Sequence, residues 1–144
     1  SKGLMEYRCR YLGMLAEERD FVLEVMVPVS TLCPCSKEIS DRGAHNQRGV
    51  GKVGVRFNGF VWREAIIGAV EKSASSPVYS LLKRVDEKFV TEQAYDNPMF
   101  VEDVVREVAI NLGKMKKIKW CRVEAENWES IHNHSAYAFI ERTL

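Results

Sequence analysis

The stretch Phe21-Val22-Leu23-Glu24-Val25-Met26-Val27-Pro28-Val29-Ser30 decides the fold. It is rich in β-branched residues and nearly continuous in apolar character, which marks the inner strand of a hairpin. Pro28 limits hydrogen bonding on one side near its end. Working outward toward the N-terminus, Glu17-Glu18-Arg19-Asp20 supplies a turn. Before it, Leu4 to Ala16 alternates Tyr7, Cys9, Tyr11 and Gly13 with Glu6, Arg8, Arg10 and Leu12, a period of two that suits a strand with one wet face. In the other direction, Gly51 to Asn58 places Val53, Val55 and Phe57 on one side and Lys52, Gly54 and Arg56 on the other. This third strand is expected to pair back on the hairpin, and Asn58-Gly59 ends it with a turn.

The centre of the chain changes period. From Phe60 to Ser73, Val61, Ala65, Ile66, Ala69 and Val70 recur at helical spacing. Ser76-Pro77 has the form of an N-cap and first helical residue, with Val78, Leu81, Leu82 and Val85 spaced for a second, shorter helix. Asp86 to Asn97 is acidic without a clean period and is expected to be a loop. A helix restarts after Asn97-Pro98, with Phe100, Val101, Val104, Val105, Val108, Ala109 and Leu112 as its stripe and Gly113 placed as C′ residue. Ile118 to Asn127 and Ala136 to Thr143 alternate as two further strands. The whole is a single α+β domain over residues 1–144, an antiparallel sheet with helices packed on one face. Such a sheet has free edges, and closing a barrel across subunits is one way to remove them.

Lys and Arg number 21 against 20 Asp and Glu, so the net charge is +1. That balance argues against coating nucleic acid or an anionic membrane by bulk attraction. Any anion must be held locally. No apolar run approaches the eighteen or so residues of a membrane span and no basic-then-apolar secretory leader is expected, so the expectation is a soluble, cytoplasmic protein. Cys9, Cys33, Cys35 and Cys121 are expected to be reduced thiols, because the aliphatic content makes a disulfide scaffold unnecessary.

Two polar clusters stand out from this frame. The first runs Cys33-Pro34-Cys35-Ser36-Lys37-Glu38-Ile39-Ser40 and then Gly43-Ala44-His45-Asn46-Gln47-Arg48, a long connection with almost nothing to fill a core. Pro34 between the thiols fixes the backbone so that each is expected to have its own task. Cys33 and His45, with a carboxylate or second imidazole, would make a mixed S/N/O site for Zn²⁺, Fe²⁺ or Mn²⁺ with a position open to water. The same spacing also fits a buried cysteine and a surface histidine. The second cluster, Trp128 to Ser135, holds His132 and His134, which alternation aims to one side if the segment is extended. Glu87 follows an apolar helical face, where Asp86-Glu87-Lys88 reads first as a solvated cap. Glu102 borders the stripe of the last helix, either leaning toward whatever that helix packs on or pairing with Arg106 four residues on. Lys37, Arg48 and Arg84 are the cations nearest these segments, and no Gly-rich phosphate cradle exists.

Taken together, Cys33 to Ser40, Gly43 to Arg48, Leu81 to Glu87, Ala94-Tyr95-Asp96-Asn97-Pro98, Val101-Glu102-Asp103, Glu126-Asn127 and Ser130 to Ala136 resemble, in order, the GTP cyclohydrolase IB family, the prokaryotic type of GTP cyclohydrolase I. The resemblance implies a tunnelling fold (T-fold), whose antiparallel sheets close into a barrel across modules or subunits with active sites at the interfaces. It implies opening of the guanine ring of GTP at C8, release of formate, and reclosure to 7,8-dihydroneopterin triphosphate for folate and 7-deazaguanine tRNA modification. It matches Cys33, His45 and Glu87 to the metal positions and His132 to an active-site histidine on the metal or within proton-transfer reach. Cys35 matches the thiol that approaches substrate, and Glu102 the carboxylate that holds the purine amidine edge; Lys37 and Arg48 are the choices for the triphosphate. A divalent ion (Zn, Mn or Fe) and a homo-oligomer, a tetramer, are implied. Family members carry a further T-fold module ahead of this one, so the chain is expected to be the C-terminal catalytic half.

Overall fold

Strand β2 (Arg19–Leu32) is the spine of the sheet: it pairs antiparallel with β1 (Arg8–Leu15) on one side and β3 (Asn46–Phe57) on the other. The computed structural model describes residues 5–15 and 19–144. β3 pairs with β5 (Ile118–Trp128), and β5 with β6 (Ser135–Thr143), so the main path is β1-β2-β3-β5-β6, antiparallel throughout. The alternation decides the faces. Leu23, Val25, Val27, Val29, Val53, Val55, Cys121, Val123 and Ala125 are buried on one side. Each leucine or valine among them, fully removed from water, contributes roughly 1.5–3 kcal/mol before entropy is counted. Two helices cover them, α2 (Arg63–Lys72) through Ile66, Ala69 and Val70, and α4 (Val101–Gly113) through Val101, Val104, Val105, Val108, Ala109 and Leu112. α2 lies so close to β3 that a Cβ on Gly51 would stand 2.6 Å from Val70 Cγ1.

The opposite face carries a ladder of charge. Arg10 bonds Glu24 at 2.7 Å, Lys52 bridges Glu24 and Glu124 at 3.3 and 3.8 Å, and Arg122 reaches Glu124 at 3.4 Å. Tyr137 Oη also donates to Glu124 at 2.7 Å. Burial works to raise the Glu124 carboxyl, but these donors and cations outweigh it and hold it below its ordinary value.

Several expectations are corrected. The segment after β2 is not one long connection: Pro34 starts a short helix α1 (Pro34–Ile39), and β3 begins at Asn46. Ser76-Pro77 does not open a helix. Those residues form a two-residue strand β4 (Ser76–Pro77) against Val29 and Ser30, because Ser76 is buried there and its neighbour Ser75 Oγ accepts the Leu32 N–H at 3.0 Å. The acidic stretch expected to be a loop is helix α3 (Arg84–Asp96). Gly113 is the last helical residue of α4, and the cap is Lys114 in right-handed helical geometry. Of the turn at residues 17–20, Arg19 and Asp20 already belong to β2, and Glu17-Glu18 lies outside the described residues.

Candidate functional site

At the end of the sheet where β2 finishes and β3 begins, two backbone bonds assemble a cavity. Cys33 N–H donates to the His45 carbonyl at 3.1 Å, closing the α1 excursion into a loop. Met99 N–H donates to the Leu32 carbonyl at 3.1 Å, which seats the first turn of α4 beside Cys33. The third wall arrives by register: Arg48 pairs with Trp128, so the β5–β6 connection hangs beside the start of β3. The resulting cavity of about 410 Å³ is lined by Cys33, Cys35, His45, Glu102 and His132. That volume suits a small ligand.

Local chemistry explains the placement. Cys33 is the N-cap of α1 and Pro34 its first residue, which aims Cys35 outward as an exposed thiol while Cys33 stays half-buried. All four cysteines are free thiols. Ser36 Oγ donates to the Cys33 carbonyl at 3.1 Å and accepts the His45 N–H at 3.2 Å. The His45 ring meets Ser130 Oγ at 2.7 Å through Nδ1. His132 and His134 sit in a bent segment, not an extended one, yet their rings stack at 5.3 Å and both line the cavity. Glu102, in the first turn of α4 where the helix dipole favours a carboxylate, faces the cavity. Arg106 does not take it: the guanidinium bonds Asp103 at 2.7 Å instead.

Three of the expected residues lie elsewhere. Glu87 is on α3, in a separate shallow depression with Arg84, Lys88, Thr91 and Glu92. Lys37 does not line the cavity; its Nζ donates to the Tyr95 carbonyl at 2.5 Å and lies 4.3 Å over the Tyr95 ring, docking α1 on the last turn of α3. Arg48 is exposed on β3, paired in register with Ser30 and Trp128. Thiol, imidazole and carboxylate are the donors a borderline divalent ion takes, so Cys33, His45 and His132 fit in kind. Among the described residues, however, no three His, Cys, Asp or Glu side chains converge closely enough to hold an ion.

Other lining residues carried no signal of their own. Gln47 is buried, its Nε2 donates to the Glu129 carboxylate, and its Oε1 accepts from Thr31 Oγ1 at 3.5 Å. Asn127 is buried in the floor, and Ile39 and Ile131 stand exposed at the rim. Gln47 and Asn127 sit at core positions of alternating strands, and only their polarity there could have flagged them.

The described residues contain no helix long and apolar enough to cross a membrane. A family model described as type I GTP cyclohydrolase folE2 matches residues 1–138. Among curated proteins, the chain is 62% identical to GTP cyclohydrolase FolE2 of Syntrophotalea carbinolica over 98% of its own length and 53% of that protein. It is 63% identical to the protein of the same name from Geotalea uraniireducens, over 99% of this chain and 52% of the relative. For Geobacter sp. (strain M21) the figures are 59%, 99% and 54%. The chain thus spans about half the length of the curated relatives it matches. At this level of identity and coverage, the chain belongs to the type I GTP cyclohydrolase FolE2 family.

Proposed function

We propose that this chain is the C-terminal catalytic module of a cytoplasmic, metal-dependent GTP cyclohydrolase I of type IB, acting on GTP in folate and 7-deazaguanine biosynthesis. One observation carries the reading: α1, the start of β3, the first turn of α4 and the β5–β6 connection bring Cys33, Cys35, His45, Glu102 and His132 to one cavity. A solvated set of unrelated polar residues would not be gathered from segments up to 99 positions apart.

In this reading Glu102 accepts the two N–H bonds of the guanine amidine edge, a contact adenine cannot return. Cys35, exposed in the wall, lies against the purine where C8 reacts. His132 moves protons as water adds at C8 and the C8–N9 bond breaks, and again as a second water releases the carbon as formate. Cys33, His45 and His132 would hold a divalent ion (Zn, Mn or Fe), with Glu87 joining them. When bound, that ion lowers the pKa of a water toward neutrality and so supplies the nucleophile. Lys37 and Arg48 remain the proposed triphosphate contacts, each reached by swinging from the position described above.

The module is proposed to be a T-fold whose sheet closes into a barrel with the N-terminal module and with other subunits, as a tetramer. The exposed β1 and β6 edges, the apolar rim at Ile39 (83% exposed) and Ile131, and the distance of Glu87 from the cavity support an interface there. The test is conversion of GTP to a fluorescent pterin triphosphate with the complementary module supplied. Turnover that needs a divalent ion, stops on chelation and is absent in Cys33→Ala and His45→Ala is expected. Full activity in either variant would overturn the site.

A further inference from the structure

We propose that Ser130 is a positioning residue for His45: its hydroxyl takes the Nδ1–H and so holds the imidazole as the tautomer whose Nε2 lone pair is left for the cavity. The inference rests on the function proposed above only for what Nε2 then does; the contact between Ser130 Oγ and His45 Nδ1 from which it starts is independent of that function.

His45 is gripped at two points. Its backbone N–H donates to Ser36 Oγ at 3.2 Å, and its ring Nδ1 lies 2.7 Å from Ser130 Oγ, 85 residues later in the chain. The second contact is not a chance meeting of loops. Ser130 follows Glu129, whose N–H donates to the His134 carbonyl at 3.3 Å and whose carboxylate is taken by Gln47 Nε2. Gln47 is buried, accepts from Thr31, and stands two residues after His45 on β3. The strand that leaves His45 therefore staples down the segment that presents Ser130 to it.

A serine oxygen can donate or accept, so direction decides the consequence. Ser130 is exposed, and water can take its hydroxyl proton, which frees the oxygen to accept from Nδ1. A histidine that offers one nitrogen to an ion or a proton commonly gives its other N–H to an oxygen, which fixes the tautomer and ring plane. With Nδ1 engaged, Nε2 is the nitrogen remaining on a ring that lines the cavity beside Cys33 and His132.

The test uses the chain labelled with ¹⁵N-histidine, free of metal, about two pH units above the ordinary imidazole pKa of about 6.5. In the wild type and in Ser130→Thr, His45 is expected to show a protonated Nδ1 and an unprotonated Nε2; in Ser130→Ala it reverts to the Nε2–H form a solvated imidazole prefers. His132 and His134 resonances and the melting midpoint report that each variant is folded. An Nε2–H His45 in the wild type, or a pattern unmoved in Ser130→Ala, would overturn the proposal. The ring signals need no GTP, so the two readings fail separately. A Ser130-dependent tautomer in a protein that never turns over GTP overturns the activity alone. Turnover with a His45 indifferent to Ser130→Ala overturns the positioning role alone.

Discussion

Asn127 sits directly across from Gly49 in the β3–β5 pair, and its side-chain oxygen occupies the space a Cβ on Gly49 would need. The Glu126 carbonyl closes the same space at 2.8 Å. Because Asn127 is buried in the cavity floor, the pair couples sheet packing to the site. Gly49→Ala is expected to cost about 1–3 kcal/mol, the range for forcing atoms into a filled core. A lowered urea midpoint with unchanged m would show it; an unmoved midpoint would mean that Asn127 yields freely.

Glu102 is separable from fold stability. It is exposed on the first turn of α4, so Glu102→Gln should change the melting midpoint little, losing only the dipole contribution of about 0.3–1 kcal/mol. Binding of GTP should weaken by about 10–150-fold, the equivalent of roughly 1.5–3 kcal/mol for hydrogen bonds to a charged group. Arg106→Ala is the control, since that guanidinium serves Asp103. Isothermal titration with GTP distinguishes them, and an equal loss in both variants would contradict the assignment.

The segment before β1 is tied to α2 by Tyr7, whose hydroxyl donates to Glu71 Oε1 at 2.6 Å. Burial first, then the bond to Glu71 and its charge, push the Tyr7 pKa from 10.0 to about 12. A raised phenol pKa favours the protonated folded state, so its contribution is fully present below pH 10 and is lost as pH rises toward about 12. Denaturation midpoints between those limits should fall in the wild type and fall less in Tyr7→Phe. Parallel curves would contradict the linkage.

Helix α3 makes an opposite prediction. Ala94 is its one buried residue, while Val85 and Phe89 are 81% and 65% exposed. Phe89→Ala in this chain alone should therefore shift stability by no more than about 0.5 kcal/mol, as for a surface position. A loss of several kcal/mol would show that Phe89 is packed in the chain by itself.

That helix also shows what was legible in the chain and what was not. The strands were readable because alternation survives wherever one face is buried, as in Leu23 to Val29 and Ile118 to Ala125. α3 was not, since a helix burying only Ala94 has no stripe to display; its start rests on the Asp86 carboxylate reaching back to the Lys83 N–H at 3.4 Å. Ser76-Pro77 misled for the converse reason, a good local cap overridden by pairing with β2. In the site, Cys33, Cys35, His45 and His132 stood out as chemistry in segments without core residues. Ser130 and Glu129 did not, because their meaning lies in partners 85 and 82 residues away. Whether Glu102 pairs with Arg106 was open in the sequence; that guanidinium bonds Asp103, and Glu102 lines the cavity.

The most direct test of the central claim is the fate of C8. GTP labelled at that carbon is incubated with the chain and its complementary module, with a divalent ion present, and the label is followed into formate. The account predicts labelled formate from the wild type and none from His45→Ala or Cys33→Ala with the same fold. Label retained in the purine by the wild type, or released equally by the variants, would contradict it.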